Sequence, residues 1–147
     1  WTSDNIFHRE LADVNGDGWL DIYVCKSGKP GGERRHNELF INNGDLTFTE
    51  KAKEYGLAEE GLSTHAAFFD YDRDGDLDVY LLNNSIRSVG GYDLIKDQRN
   101  LRDPEGGNKL FRNEGNRFTD VSEEAGIYGS AIGFGLGVTV GDVNGDH

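Results

Sequence analysis

Acidic and amide side chains recur at alternate positions in three short segments of the chain. Residues 13–21 read DVNGDGWLD, residues 70–78 read DYDRDGDLD, and residues 142–146 read DVNGD. Ca²⁺ takes about six to eight hard oxygen ligands, and carboxylates on alternate residues of a tight loop can converge on one ion. The spacing therefore predicts calcium binding.

Each complete segment would supply five ligands. Trp19 and Asp76 would contribute backbone carbonyl oxygens, and Gly18 and Gly75 would allow the sharp turn. The first set is Asp13, Asn15, Asp17, Trp19 and Asp21, the second is Asp70, Asp72, Asp74, Asp76 and Asp78, and the third, incomplete set is Asp142, Asn144 and Asp146.

Other interpretations of these loops fit the sequence less well. An EF-hand needs a bidentate Glu at position 12, whereas Val24 and Leu81 stand there, inside predicted strands. A solvated turn rich in Asp, Asn and Gly is the alternative for any single loop, and the recurring spacing disfavours it. Mg²⁺ is disfavoured because it demands octahedral geometry and keeps several waters. In the third loop His147 replaces the expected glycine.

A second element recurs between the acidic loops. NELFINNGDLTFTEKAKEYGL at 37–57 aligns with NKLFRNEGNRFTDVSEEAGI at 108–127. Apolar and β-branched runs bounded by turn residues predict strands, and capping residues with terminal glycines predict short helical turns at 51–56 and 122–126. The predicted strands are 7–12, 21–25, 39–42 and 47–49, then 64–69, 78–82, 110–113 and 117–120, and 134–141 as the first strand of a third repeat.

Four-stranded units repeated at this length are typical of β-propeller blades. We therefore predict an all-β chain with repeat 1 at 1–61, repeat 2 at 62–130 with an insert at 85–107, and the start of repeat 3 at 131–147. Propellers close with about 4–8 blades. The chain is accordingly expected to be a fragment of a larger propeller, with open edges that favour self-association.

The acidic loops between two strands, followed by N-x-L-F-x-N-x-G, resemble FG-GAP or VCBS repeats, the calcium-binding blades of integrin α-type propellers. The stretches NKLFRNEGNRFTDVSEEAGI and HAAFFDYDRDGDLDVYLLNN are most similar to cartilage acidic protein-like (ASPIC/UnbV-type) proteins. The resemblance implies a seven- or eight-bladed calcium-binding propeller that is secreted, periplasmic or at the cell surface. The first strand departs from it, with Leu11-Ala12 in place of the Phe-Gly pair.

Composition limits the partners. The net charge of −12 argues against nucleic acid, because phosphate binding needs positive charge. No run approaches the 18 or so apolar residues of a membrane-spanning helix. Cys25 is the single cysteine and is interpreted as a small buried hydrophobe.

Two histidines occupy equivalent places in the repeats. His8 and His65 each lie five residues before the first Asp of their loop, which places them on the innermost strands, and Gly137 holds that place in the third copy. A transition-metal pair is one interpretation. Polar strand starts that face the channel or a neighbouring blade are the other, and Gly137 argues against a role common to all repeats.

The connections between second and third strands are expected to form the ligand face. In an antiparallel meander they lie opposite the calcium loops. Residues 26–36 carry a net charge of +3 and residues 85–107 a net charge of 0, against −12 for the chain. We predict a protein or anionic polysaccharide ligand there, and an extracellular recognition or adhesion module without catalytic residues. The alternative is the propeller scaffold of a secreted carbohydrate-active enzyme.

Overall fold

The computed structural model describes residues 6–28, 35–85, 100–115 and 117–145. They form two four-stranded antiparallel sheets in which every strand pairs with its neighbours in sequence. The first holds β1 (Ile6–Ala12), β2 (Asp21–Lys26), β3 (Glu38–Asn42) and β4 (Phe48–Glu50), and the second β5 (Leu62–Phe69), β6 (Asp78–Asn84), β7 (Lys109–Asn113) and β8 (Phe118–Asp120). The all-β prediction is confirmed, and the architecture is that of two propeller blades.

The two sheets repeat one register. Ile22 of β2 is paired with Phe40 of β3, and Val79 of β6 with Phe111 of β7, and these pairs are equivalent in the aligned repeats. Side chains alternate between the faces of a strand, so Leu39 and Ile41 are buried while Phe40 is half-buried. The internal alignment of the sequence therefore corresponds to a structural repeat.

The hydrophobic core draws residues from both sheets. Tyr23 and Leu39 of the first sheet and Val79 and Leu81 of the second are buried in one cluster. Tyr23 also meets Phe68 edge to face, with ring centroids 5.9 Å apart, a preferred aromatic geometry. Burial of this shared core holds the two blades side by side.

A single helical turn follows the first sheet. It is α1 (Ala52–Tyr55), and it ends at Gly56, whose φ is 78°. The turn predicted at 122–126 has the same form without being a helix: the Ala125 N–H donates to Val121 O at 2.9 Å, and Gly126 has a φ of 71°. Among the described residues no helix has the length and apolarity needed to cross a membrane.

The prediction of a strand at 134–141 is wrong. These residues, all within the described part, form no strand, and Phe134 forms an isolated bridge with Asn84. The segment nevertheless lies beside β5, because Thr64 Oγ1 donates to the Gly135 carbonyl at 2.8 Å. In both sheets the first strand is held by a ladder to the second strand of its own repeat, and the described residues 134–141 have no such ladder.

Some predicted features fall outside the described residues. They are residues 29–34 and 86–99 of the two long connections, and Asp146 of the third loop.

Candidate metal centre

The loop between β1 and β2 is built around Asp13. Its Oδ1 accepts the Asp17 N–H at 3.0 Å and its Oδ2 accepts the Gly18 N–H at 2.9 Å. Asn15 Nδ2 donates to Asp17 Oδ2 at 2.8 Å, and Asp17 Oδ1 accepts the Trp19 N–H at 2.8 Å. Asp and Asn side chains that bond to nearby backbone in this way shape tight turns, so the aspartates fold the loop as well as carrying its charge.

The loop between β5 and β6 has the same frame. Asp70 Oδ1 accepts the Arg73 N–H at 2.7 Å, its Oδ2 accepts the Gly75 N–H at 3.1 Å, and Asp74 Oδ1 accepts the Asp76 N–H at 3.1 Å. Gly75 has a φ of 97°, as Gly18 has one of 89°. Both glycines are in the left-handed region that only glycine adopts without cost, as the sequence predicts for position 6.

The last aspartate of each loop is buried and joins the loop to the third strand. Asp21 Oδ2 accepts the Val14 N–H at 2.9 Å and Asp21 Oδ1 accepts the Asn42 N–H at 2.8 Å. Asp78 does the same with Tyr71 at 2.6 Å and with Asn113 at 2.8 Å.

Carboxylates converge in the second loop. One oxygen each from Asp70, Asp72 and Asp78 lies within 4.8 Å of the other two. In the first loop position 3 is Asn15, and its aspartates do not form such a group among the described residues. In the third loop Asp142 Oδ1 accepts the Gly145 N–H at 2.8 Å, and Asn144 is exposed.

The electrostatics of the loops favour a bound cation. Burial raises the pKa of Asp21 and of Asp78, against the opposing effect of their backbone hydrogen bonds. Desolvation, and then the neighbouring Asp74, raise the pKa of Asp76 to about 6. No ion pair among the described residues includes an aspartate of either loop. The potential ligands are hard oxygen atoms of neighbouring carboxylates, which repel one another, and such a set suits a divalent cation such as Ca²⁺.

Two asparagines at the end of the third strands support the loops. Asn42 Nδ2 donates to the Leu20 carbonyl at 3.2 Å. The equivalent Asn113 donates to the Leu77 carbonyl and to the Val14 carbonyl, both at 3.2 Å. Asn113 therefore links the two acidic loops. The recurring N of L-F-x-N was the available sequence signal for this role, and it was missed.

A second pair of asparagines stabilises the opposite end of each sheet. Asn37 Oδ1 accepts the Lys26 N–H at 2.8 Å and Asn37 Nδ2 donates to Tyr23 Oη at 2.9 Å. The equivalent Asn108 accepts the Asn83 N–H at 3.1 Å and donates to Tyr80 Oη at 3.0 Å. Their signal in the sequence was the N that opens NELF and NKLF.

The structure also shows the positions of Cys25, of the two repeat histidines and of the long connections. Cys25 is fully buried, and burial raises the pKa of its thiol to about 12, which agrees with its interpretation as a small hydrophobe. His8 and His65 are stacked on each other. At the end remote from the acidic loops, Arg35 Nη2 lies 3.8 Å from Glu105 Oε2, so the two long connections meet.

The meander of each sheet and the acidic loop between its first two strands define a repeat module of the propeller type. The FG-GAP-like repeat family matches residues 5–81, just over half of the chain, and the chain belongs to that family. Repeats of this family are generally scaffold modules without catalysis. No curated protein matches the chain.

Proposed function

We propose that the chain is a calcium-binding repeat module from a secreted, periplasmic or cell-surface recognition or adhesion protein. The observation that carries the proposal is the convergence of Asp70, Asp72 and Asp78 within 4.8 Å. Like charges at this distance repel, and a divalent cation removes the repulsion while it receives hard oxygen ligands. The motifs that resemble cartilage acidic protein-like (ASPIC/UnbV-type) proteins fit the same proposal at a finer level.

Calcium at the two loops would act on the contact between the blades. Asn113 of the second sheet donates to the carbonyl of Val14, which lies inside the first loop. A cavity of about 260 Å³ between the loops is lined by residues of both, among them Asp13 and Asp76. Ordering either loop therefore orders a surface that the other blade contacts, and we assign to calcium a structural role.

The recognition surface is proposed for the end opposite the acidic loops. A Cβ on Gly44, in the β3–β4 turn, would lie 3.2 Å from Trp19 Nε1, which shows that this turn shares the end of the acidic loops. The long connections meet at the other end through Arg35 and Glu105. Long loops on a rigid scaffold are where binding residues concentrate.

The net charge of +3 on residues 26–36 supports an anionic partner, either a protein or a polysaccharide. Arg35 lines a cavity of about 390 Å³ together with Glu59, Glu60 and Glu105, and its Nη2 lies 3.8 Å from Glu105 Oε2.

Thermal unfolding in Ca²⁺ and in chelator tests the calcium proposal. We expect a higher Tm in Ca²⁺, and a smaller increase for Asp70→Asn, which removes one converging carboxylate. Asp45→Asn is the matched control, because Asp45 is an exposed aspartate of the β3–β4 turn. An unchanged Tm in chelator, or an equal effect of both substitutions, would contradict the proposal.

Binding of hyaluronan, a uronate polysaccharide, to the calcium-saturated chain tests the surface. We expect affinity that falls with salt and is lost in Arg35→Ala, with calcium affinity unchanged. If the folded Asp70→Asn variant loses hyaluronan while Arg35→Ala keeps it, the ligand face is at the other end. Absence of binding by the unmodified chain counts against an anionic polysaccharide.

A further inference from the structure

A cluster of nitrogen and oxygen ligands lies outside the acidic loops, on the adjacent first strands of the two sheets. His8 Nε2 is 2.8 Å from Glu10 Oε2. The rings of His8 and His65 stack with centroids 3.8 Å apart and planes 22° apart. One ligand atom from each of the three residues lies within 4.8 Å of the other two, and all three side chains are half-buried.

Both histidines follow an irregularity in their strand. The β1–β2 register shifts between Ile6 and His8, and the β5–β6 register shifts at the equivalent place between Ser63 and His65. Bulges bend a strand and re-aim the side chains beside them, and they are common next to functional sites. The same backbone feature therefore brings the two imidazoles from different blades into contact.

The carboxylate of this cluster is present in the first repeat alone. Glu10 has Ala67 as its counterpart in the second repeat and Thr139 in the third. The cluster therefore holds two imidazoles and one carboxylate, which is hydrogen-bonded to His8. Two histidines with one carboxylate is a common set for Zn²⁺ and for other first-row transition metals, and it leaves a coordination position open.

Solvent and an ion can reach the cluster beside Gly137, the third residue at this repeat position. Gly137 is exposed, and a Cβ placed on it would lie 3.8 Å from His65 Nδ1. A side chain as large as histidine at this point would cover the His65 ring. Glycine leaves the space that a ring needs to rotate.

We propose that His8, Glu10 and His65 form a binding site for a first-row transition-metal ion of the Zn²⁺ class, distinct from the calcium loops. A metal binds imidazole nitrogen in the plane of the ring, so one ring must turn out of the stack when the ion enters. The site joins one strand from each blade. Its occupation would therefore hold the two blades together at their inner edge.

Zn²⁺ titration by calorimetry tests the site, with the full chain in saturating Ca²⁺ so that the acidic loops are filled. We expect one Zn²⁺ per chain. The variants His8→Gln and His65→Gln should each weaken binding by about tenfold or more, since loss of outer-shell partners alone often costs that much. Glu10→Gln should also weaken it, and calcium affinity should not change.

The control is a double variant of the two other histidines, His36→Gln with His147→Gln, which should bind Zn²⁺ as the unmodified chain does. Co²⁺ absorption of the unmodified chain gives a second measurement that does not depend on a variant folding. We expect d–d bands typical of a low-coordinate site with nitrogen and oxygen ligands. These bands should disappear when Zn²⁺ displaces Co²⁺. Absence of Zn²⁺ binding by the unmodified chain, or binding lost in the double variant and kept in His8→Gln, would overturn the proposal.

Discussion

The backbone N–H of Asn42 donates to Oδ1 of the buried Asp21 at 2.8 Å, so an aspartate proposed as a metal ligand also fixes the third strand of its sheet. Its other oxygen accepts the Val14 N–H at 2.9 Å. Each carboxylate oxygen of Asp21 thus accepts one backbone hydrogen bond. This aspartate has a structural role that does not depend on whether a cation is bound.

Removal of the Asp21 side chain should therefore destabilise the chain even in chelator. We expect Asp21→Ala to lower the free energy of unfolding by about 1–3 kcal/mol, because backbone donors lose their acceptor. Asp17→Ala, at an exposed position of the same loop, should cost less than this in chelator. Urea unfolding of both variants measures the difference, and equal losses would show that Asp21 has no such role.

Gly56 should tolerate substitution less well than a glycine with a similar backbone conformation. Its φ is 78°, and a Cβ would lie 2.7 Å from the Phe118 carbonyl oxygen of the second sheet. Gly16 has a φ of 71° but no atom within 4 Å of its Cβ position. Gly16→Ala should cost about 1–2 kcal/mol for the left-handed conformation alone. Gly56→Ala should cost more in urea unfolding, and similar losses would argue against close contact between the blades at this point.

Cys25 should be protected from thiol reagents in the folded chain. It is fully buried, and its pKa is raised to about 12, mainly by burial. The thiol therefore stays protonated as pH rises from 7 to 9, and the labelling rate should be far below that of an unfolded control. Ca²⁺ should slow labelling further if it stabilises the fold. Rapid labelling in the absence of denaturant would contradict the burial of β2.

The chain should associate with itself, because one face of the first sheet has no neighbouring blade among the described residues. Phe7 and Leu11 of β1 are 57% and 58% exposed. Exposed apolar side chains on an edge strand favour pairing with another chain. We expect light scattering to show a mass above that of the 16.3 kDa monomer, and the variant Leu11→Lys to reduce it. A stable monomer at high concentration would contradict this.

Much of the fold could be predicted from the sequence, because strand patterns and turn residues are local. The order of all eight strands followed from the internal alignment. The ends of β5 and β6 did not: β5 begins at Leu62 and β6 extends to Asn84, beyond the predicted 64 and 82. The predicted strand stops before the polar Asn83, whose N–H donates to Asn108 Oδ1 and whose Nδ2 donates to the Gly107 carbonyl inside the fold.

The local structure of the candidate metal site could be predicted from the sequence, but its contacts between blades could not. The spacing of the aspartates predicts the two loops and their glycines, since the turn chemistry is contained in nine residues. It does not predict the contact of Asn113 with Val14 or the stack of His8 on His65, since both depend on how one blade lies against the next. The segment 134–141 shows a further limit, because its apolar pattern predicts a strand and it forms no ladder among the described residues.

Calorimetric titration of Ca²⁺ into chelator-treated chain tests the calcium proposal most directly. We expect two strongly bound ions per chain, one for each complete loop. Asp70→Asn should remove the second-loop ion and the equivalent Asp13→Asn the first-loop ion, and the double variant should bind neither. Absence of Ca²⁺ binding, or binding by the folded double variant equal to that of the unmodified chain, would contradict the assignment of the two loops.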